Sequence, residues 1–305
     1  MAKIRILQVI GGNEIGGAEE HVLALCKGLD PEIFEVFLAC LCDGPLAQAA
    51  RNQGIPVIII NMGNPLDVFI IPELVRQMKA LAIDIVHTHG SRANLTARLA
   101  GKWAGIPIVT TIHSSLAQDY ISRPASLVAK VLDRVTTPLA TGIVTVSQFL
   151  QPEAKKRGAK RTVTIYNGID PAKLAKIDLL DNIYSEIGIT PGGPLVGIIG
   201  RLHPVKGHVF FLEAAALISA NHPATRFLIV GSGPLEADLR NKVQELGLEN
   251  KVIFTGYCPN VQRILAILDV LCLPSLSEGM GLVLLEAMYF SKPVVASRVG
   301  GIPEV

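Results

Sequence analysis

Leu195-Val196-Gly197-Ile198-Ile199-Gly200-Arg201-Leu202-His203-Pro204-Val205-Lys206-Gly207 is an apolar run that ends at a glycine, crosses a cationic loop and meets a second glycine. Apolar on both faces, Leu195–Gly200 reads as a strand buried inside a parallel sheet, and Gly207–Ala220 as the helix that covers it. The unit recurs downstream. Strands are predicted at Thr225–Val230, Val252–Thr255, Val270–Leu273 and Pro293–Ser297, with helices at Leu235–Leu246, Val261–Leu268 and Leu282–Phe290. Such alternation is the pattern of βαβ units.

The upstream half has the same rhythm. Its predicted strands are Ile4–Ile10, Phe34–Leu41, Val57–Ile60, Ile83–His87, Ile108–Ile112, Gly142–Val146 and Thr162–Ile165. Helices are predicted at Glu19–Leu29, Pro45–Asn52, Ile71–Leu81 and Ala93–Ala104. Asn167-Gly168-Ile169-Asp170-Pro171 and the patternless stretch after it separate the two series. The expected organisation is a first domain over 1–170, a linker over 171–193 and a second domain over 194–305. Both are expected to be doubly wound parallel sheets of α/β class, with ligands at the carboxyl ends of the strands.

Composition narrows the function. Of 305 residues, 50% are hydrophobic and 18% charged, which argues for a packed globular protein and against disorder. A net charge of +2 is too small for a nucleic-acid binder. Cys26, Cys40, Cys42, Cys258 and Cys272 have no CxxC spacing and read as buried free thiols of a reducing compartment. No signal region precedes Ile4, and no stretch reaches the roughly 18 uninterrupted apolar residues of a spanning helix. Ala125–Val146 comes nearest, but Lys130, Asp133 and Arg134 interrupt it. A cytoplasmic protein is expected, with peripheral contact at the inner membrane surface allowed. Lys155-Lys156-Arg157 with Lys160-Arg161 is the densest basic run, read first as a solvated helix end and second as a patch for an anionic acceptor or lipid surface.

Five motifs bear on chemistry. Gly11-Gly12-Asn13-Glu14-Ile15-Gly16-Gly17-Ala18-Glu19 lies between strand and helix, the layout that places backbone amides around a phosphate. It does not match G-x-G-x-x-G, and neither does Gly231-Ser232-Gly233-Pro234-Leu235-Glu236, so a nicotinamide cofactor is weakly supported. Arg201 and Lys206 set a planar fork and a compact charge on one loop, a pairing suited to a diphosphate. Ser277-Glu278-Gly279-Met280-Gly281-Leu282-Val283-Leu284-Leu285-Glu286 places two carboxylates eight positions apart around a glycine-bracketed turn and a helix start. Carboxylates read hydroxyls and helix amides read phosphate, so together they describe a nucleotide sugar. His87, His89 and His113 sit at strand ends; alternation puts His87 and His89 on one side, but no third metal ligand is evident, and they read as hydrogen-bonding or structural groups.

Taken in order, these pieces resemble the retaining GT-B glycosyltransferases of glycosyltransferase family 4, the glycosyl transferases group 1 enzymes. The matching residues are Gly16-Gly17-Ala18-Glu19, Thr111-Ile112-His113, Val146-Ser147, Asn167-Gly168-Ile169-Asp170, Gly200-Arg201-Leu202 with Lys206-Gly207, Val230 to Pro234, Pro274-Ser275, Glu278 to Glu286 and Gly300-Gly301-Ile302-Pro303-Glu304. The resemblance implies two Rossmann-like domains facing across a cleft and transfer of a hexose with retention of anomeric configuration. It assigns diphosphate-facing amides to Gly16 and Gly17. Arg201 and Lys206 neutralise the leaving diphosphate, and Glu278 contacts sugar hydroxyls with the amides of Met280, Gly281 and Leu282. Glu286 holds the ribose, Gly231 joins the nucleotide-binding set, and His113 contacts the transferred sugar. The implied donor is a UDP or GDP sugar, the acceptor a glycan, lipid-linked or small molecule; no metal and no separate cofactor are expected.

One departure stands out: the chain stops at Val305 where family members continue, so the second domain is expected to be incomplete, as in a C-terminal truncation. The competing readings are a nucleotide-sugar epimerase, which lacks convincing first-domain carboxylates, and a non-catalytic nucleotide-sugar-binding protein. A phosphorylase would need a pyridoxal lysine and a longer chain. Acceptor choice is expected in the loops Asn61–Asp67 and Ser114–Pro124.

Overall fold

A computed structural model describes residues 2–64, 66–116, 123–171, 174 and 183–305. The chain divides into two compact units, Met1–Asn167 and Gly168–Pro303. Part of the expected linker, residues 172–173 and 175–182, lies outside the described residues, as do parts of both expected acceptor loops, at 65 and 117–122.

In the first unit the chain runs β1 (Ile4–Ile10), α1 (Gly17–Gly28), β2 (Phe34–Cys40), α2 (Pro45–Asn52), β3 (Val57–Ile59), α3 (Ile71–Ala80) and β4 (Ile85–His89). It continues through α4 (Ser91–Ala104), β5 (Ile108–Ile112), α5 (Arg123–Thr136), β6 (Gly142–Thr145), α6 (Gln151–Lys156) and β7 (Thr162–Thr164). The seven strands pair in the order β3-β2-β1-β4-β5-β6-β7, each in parallel with its neighbours. Because successive side chains leave a strand on opposite faces, Leu7 and Val9 enter a core with Leu74, Met78 and Ala97, while Ile10 and Leu38 join Val22, Leu23 and Leu46 in another.

The second unit holds α7 (Ile183–Glu186), β8 (Leu195–Ile199), α8 (His208–Asn221), β9 (Arg226–Val230), α9 (Glu236–Glu245) and β10 (Val252–Gly256). Then come α10 (Val261–Ile267), β11 (Val270–Leu273), α11 (Leu282–Tyr289) and β12 (Val294–Ala296). Its five parallel strands are ordered β10-β9-β8-β11-β12. Here too β9 alternates, Leu228 and Val230 packing with Ile264 and Leu284, Phe227 and Ile229 with Phe211 and Leu239. In each sheet the order reverses beside the first strand of the unit, the switch point at which loops part and a ligand can enter.

Two expectations need correction and a third holds. The strand expected to end at His87 runs to His89, so His87, Thr88 and His89 are sheet residues. The near-spanning run Ala125–Val146 begins inside α5, a helix whose Asp133 is buried; as expected, among the described residues no helix is long and apolar enough to cross a membrane. All five cysteines are free, but only Cys40 is buried and the other four are half-buried.

Candidate functional site

The second unit gathers its predicted residues at the carboxyl ends of β8, β9, β11 and β12. Lys206 lies in a single 3-10 turn, Pro204–Lys206, that ends at Gly207 in left-handed conformation. Its Nζ donates to Glu278 Oε2 at 2.6 Å, joining the β8 and β11 loops. Ser275, buried at the end of β11, donates from Oγ to the same oxygen at 3.3 Å. The pair keeps some solvent contact, with side-chain exposures of 23% and 13%, so each charge is held in place but remains reachable. Arg201 is exposed on the same β8 loop.

Backbone approach explains the glycines. A Cβ on Gly231 would lie 2.1 Å from the Gly200 carbonyl oxygen, a collision between main chains that cannot relax by turning a side chain. The Gly231 amide itself donates to Gly256 O at 2.9 Å. Gly231 therefore serves here as the packing point of two loops. Gly281 caps α11 with φ +83°, Met280 beside it is buried, and Leu282 opens the helix. One turn into the helix, half-buried Glu286 accepts from Gln262 Nε2 at 3.2 Å. Sequence reasoning missed Ser275 and Gln262 as partners of the two carboxylates. Ser275 stood within a quoted motif; Gln262 is an ordinary helix residue with no local signal.

In the first unit the glycine loop delivers α1. The Gly16 amide, expected to face a diphosphate, donates to Glu19 Oε2 at 3.1 Å and so caps its own helix. Gly17 begins α1, and one turn later His21 reaches the histidines at the ends of β4 and β5. A third imidazole therefore joins the strand-end pair from a helix: ring nitrogens of His21, His89 and His113 all lie within 4.8 Å of one another. His89 Nε2 donates to Gln8 Oε1 on β1 at 2.8 Å. A neutral imidazole that carries its proton on Nε2 turns the Nδ1 lone pair outward, here to His113 Nε2 at 3.0 Å. His87 meets Thr111 Oγ1 at 2.8 Å, and its ring centroid lies 4.2 Å from that of His89.

Burial dominates the electrostatics of this cluster. It pushes His89 and His113 well below the ordinary imidazole range, with neighbouring imidazoles adding to the shift, and takes His87 down to about 3. His21 is lowered by the same cause, partly offset by the Asn167 side chain. The four rings are thus neutral at pH 7: donors, acceptors or metal ligands, and not cations.

The profile described as Glycosyltransferase Family 4 matches residues 15–173, and that of Glycosyl transferases group 1 matches 181–305. A UDP-Gal:alpha-D-GlcNAc-diphosphoundecaprenol alpha-1,3-galactosyltransferase of Escherichia coli is 30% identical over 319 residues, spanning 98% of this chain and 81% of that protein. An N-acetyl-alpha-D-glucosaminyl L-malate synthase of Bacillus anthracis is 32% identical, over 79% of this chain and 63% of its own length. Among solved structures, Anabaena Alr3699/HepE in complex with UDP-glucose superposes with TM-score 0.84 at 25% identity, over 99% of this chain and 82% of its own. Matched by one profile in each unit and aligned almost end to end with a 30% identical transferase, the chain belongs to glycosyltransferase family 4 and is a glycosyltransferase with two parallel-sheet units of GT-B type.

Proposed function

We propose that the chain transfers a hexose from a UDP or GDP sugar to a lipid-linked acceptor, with retention of anomeric configuration. The observation that carries the reading is the Lys206–Glu278 pair at 2.6 Å, on loops at the carboxyl ends of β8 and β11, with Arg201 exposed on the same β8 loop as Lys206. A departing nucleoside diphosphate builds negative charge, and cations fixed before it arrives stabilise that charge without reorganisation. An incoming diphosphate competes with Glu278 for Lys206, which frees carboxylate oxygens for sugar hydroxyls. The first turn of α11 supplies amides from Met280, Gly281 and Leu282, and Glu286 takes the ribose. For the first unit the same reading assigns a sugar hydroxyl to His113 and phosphate-facing amides to Gly17 and, once an incoming phosphate displaces the Glu19 carboxylate from it, to Gly16. The leaving phosphate accepts the acceptor's proton, so no protein nucleophile and no metal ion is assigned to the step.

The first test is calorimetry with UDP-, GDP- and ADP-sugars and with NAD. One nucleotide sugar should bind selectively, and Glu286→Ala should weaken it by about 1–3 kcal/mol through loss of ribose hydrogen bonds. Binding of NAD alone, or equal affinity in the variant, refutes the donor assignment.

Two observations favour a lipid-linked acceptor. The E. coli relative is named for a diphosphoundecaprenol-linked acceptor. On α5, Leu127 and Val135 are 65% and 67% exposed, and Val128 and Val131 are exposed between them. Lys130 and Arg134 are exposed on the same helix. An apolar stripe flanked by cations fits the surface of an anionic bilayer. Cosedimentation with phosphatidylglycerol vesicles should be strong for the wild type and largely lost in Leu127→Asp/Val131→Asp; equal sedimentation of the two would remove the membrane role of α5.

A further inference from the structure

We propose that His21, His89 and His113 form a binding site for a divalent transition-metal ion of the zinc class. Their ligand nitrogens lie within 4.8 Å of one another, and the His89–His113 pair already stands at 3.0 Å. Two imidazoles on one zinc at about 2.0–2.1 Å each are roughly 3.3 Å apart in a tetrahedral site. That pair has to open by only a few tenths of an ångström. His21 has farther to come, from the first turns of α1, just behind Gly16 and Gly17.

The surroundings of His89 are those of a metal ligand. Ligating histidines donate their other ring N–H to a carboxylate or a carbonyl oxygen, which fixes tautomer and ring orientation. Gln8 Oε1 does this from β1 at 2.8 Å, leaving Nδ1 as the outward lone pair. On ion binding, His113 moves its proton from Nε2 to Nδ1, so the neutral ligand set exchanges one hydrogen bond for two coordinate bonds with no net proton release. No carboxylate belongs to the group, which disfavours Mg²⁺ and Ca²⁺, whereas neutral imidazoles suit zinc and its neighbours. His89 is buried while His21 and His113 are half-buried, so the ion has a route from solvent, with a fourth position open to water.

The site needs nothing from the transfer reaction. If His113 also contacts the donor sugar, a bound ion sequesters its Nε2 and inhibits transfer.

Protein stripped with EDTA and dialysed against zinc chloride should retain one zinc per chain, measured by atomic emission. His21→Ala and His113→Ala should each weaken retention at least tenfold, and Gln8→Leu by about 10–100-fold. His222→Ala, an exposed histidine of the second unit, and Cys42→Ser should leave it unchanged. His21 is half-buried on a helix surface, so its variant tests the site even if replacement of buried His89 prevents folding. Equal retention by wild type and His21→Ala, loss through Cys42→Ser instead, or no retained zinc would each overturn the proposal. Stoichiometry is read without an activity assay, so failure here leaves the donor assignment standing, and failure of the donor panel leaves this site standing.

Discussion

Replacing Asp133 with alanine is expected to remove about 3–5 kcal/mol of folding stability from the first unit, lowering its unfolding midpoint by roughly 10 °C. Arg98 is wholly buried on α4. Its Nε donates to Thr110 Oγ1 at 3.1 Å, and its Nη1 to Thr136 Oγ1 at 3.2 Å, Thr137 Oγ1 at 3.1 Å and Asp133 Oδ1 at 2.8 Å. The three hydroxyls satisfy donors but carry no charge. Burial pushes the Arg98 guanidinium below its ordinary range, and Asp133 opposes that shift. Asp133 also accepts from Arg157 Nη1 at 3.3 Å, and Arg157 keeps a second partner in Glu153. Without Asp133, two buried guanidiniums face each other and Arg98 keeps a charge that only water could stabilise.

The comparison that isolates this effect is Arg98→Met/Asp133→Leu. Removing both charges removes the desolvation penalty, so the double variant should recover most of the loss. A drop below about 1 kcal/mol in Asp133→Ala would mean that the guanidinium reaches water. The link also matters for the exposed stripe of α5, because Asp133 ties the inner face of that helix to Arg98 on α4 and to Arg157 at the end of α6. A stable Asp133→Ala chain should therefore lose part of its vesicle binding along with its midpoint.

This network shows where the sequence stops being readable. The strands were legible to within a residue or two because parallel strands are apolar on both faces, and runs such as Leu195–Ile199 have no competing reading. α5 was not, because Asp133 reads locally as an interruption of an apolar stretch. Its partner Arg98 lies 35 positions away on another helix, and no window joins them. His21 was lost for a related reason. His87, His89 and His113 announce themselves at strand ends, whereas His21 reaches them only because β1 pairs with β4 and β4 with β5, which brings α1 over their ends. On the second unit, Glu278, Arg201 and Lys206 were legible as residue types suited to a nucleotide sugar. That Lys206 pairs with Glu278, 72 positions downstream, is a product of strand order, which composition does not encode.

The same strand order makes Gly300→Ala a severely damaging substitution in the second unit, with an expected loss of at least about 100-fold in kcat/KM for transfer from the donor that the calorimetry selects. Gly300 follows β12 with φ +58°, and a Cβ there would lie 2.0 Å from Glu278 O, 2.9 Å from its N and 3.0 Å from its carbonyl carbon. All three are backbone atoms, so the neighbour cannot turn aside. The Gly301 amide donates to the same oxygen at 3.0 Å, locking the turn against Glu278. Relief therefore requires the turn and the carboxylate-bearing loop to move apart, by more than the tolerance of a contact held at 2.6 Å to Lys206. Left-handed φ alone is a smaller matter, about 1–2 kcal/mol for a residue with a Cβ. Gly54 separates the two effects: its φ is +75°, but nothing lies within 4 Å of its Cβ position. Gly54→Ala should lose that modest stability and keep its turnover. Gly300→Asn should fail like Gly300→Ala, because asparagine tolerates the dihedral yet still carries the colliding carbon. Turnover within threefold of wild type in both Gly300 variants would show that Glu278 does not need its present position, and would remove it from the reacting centre.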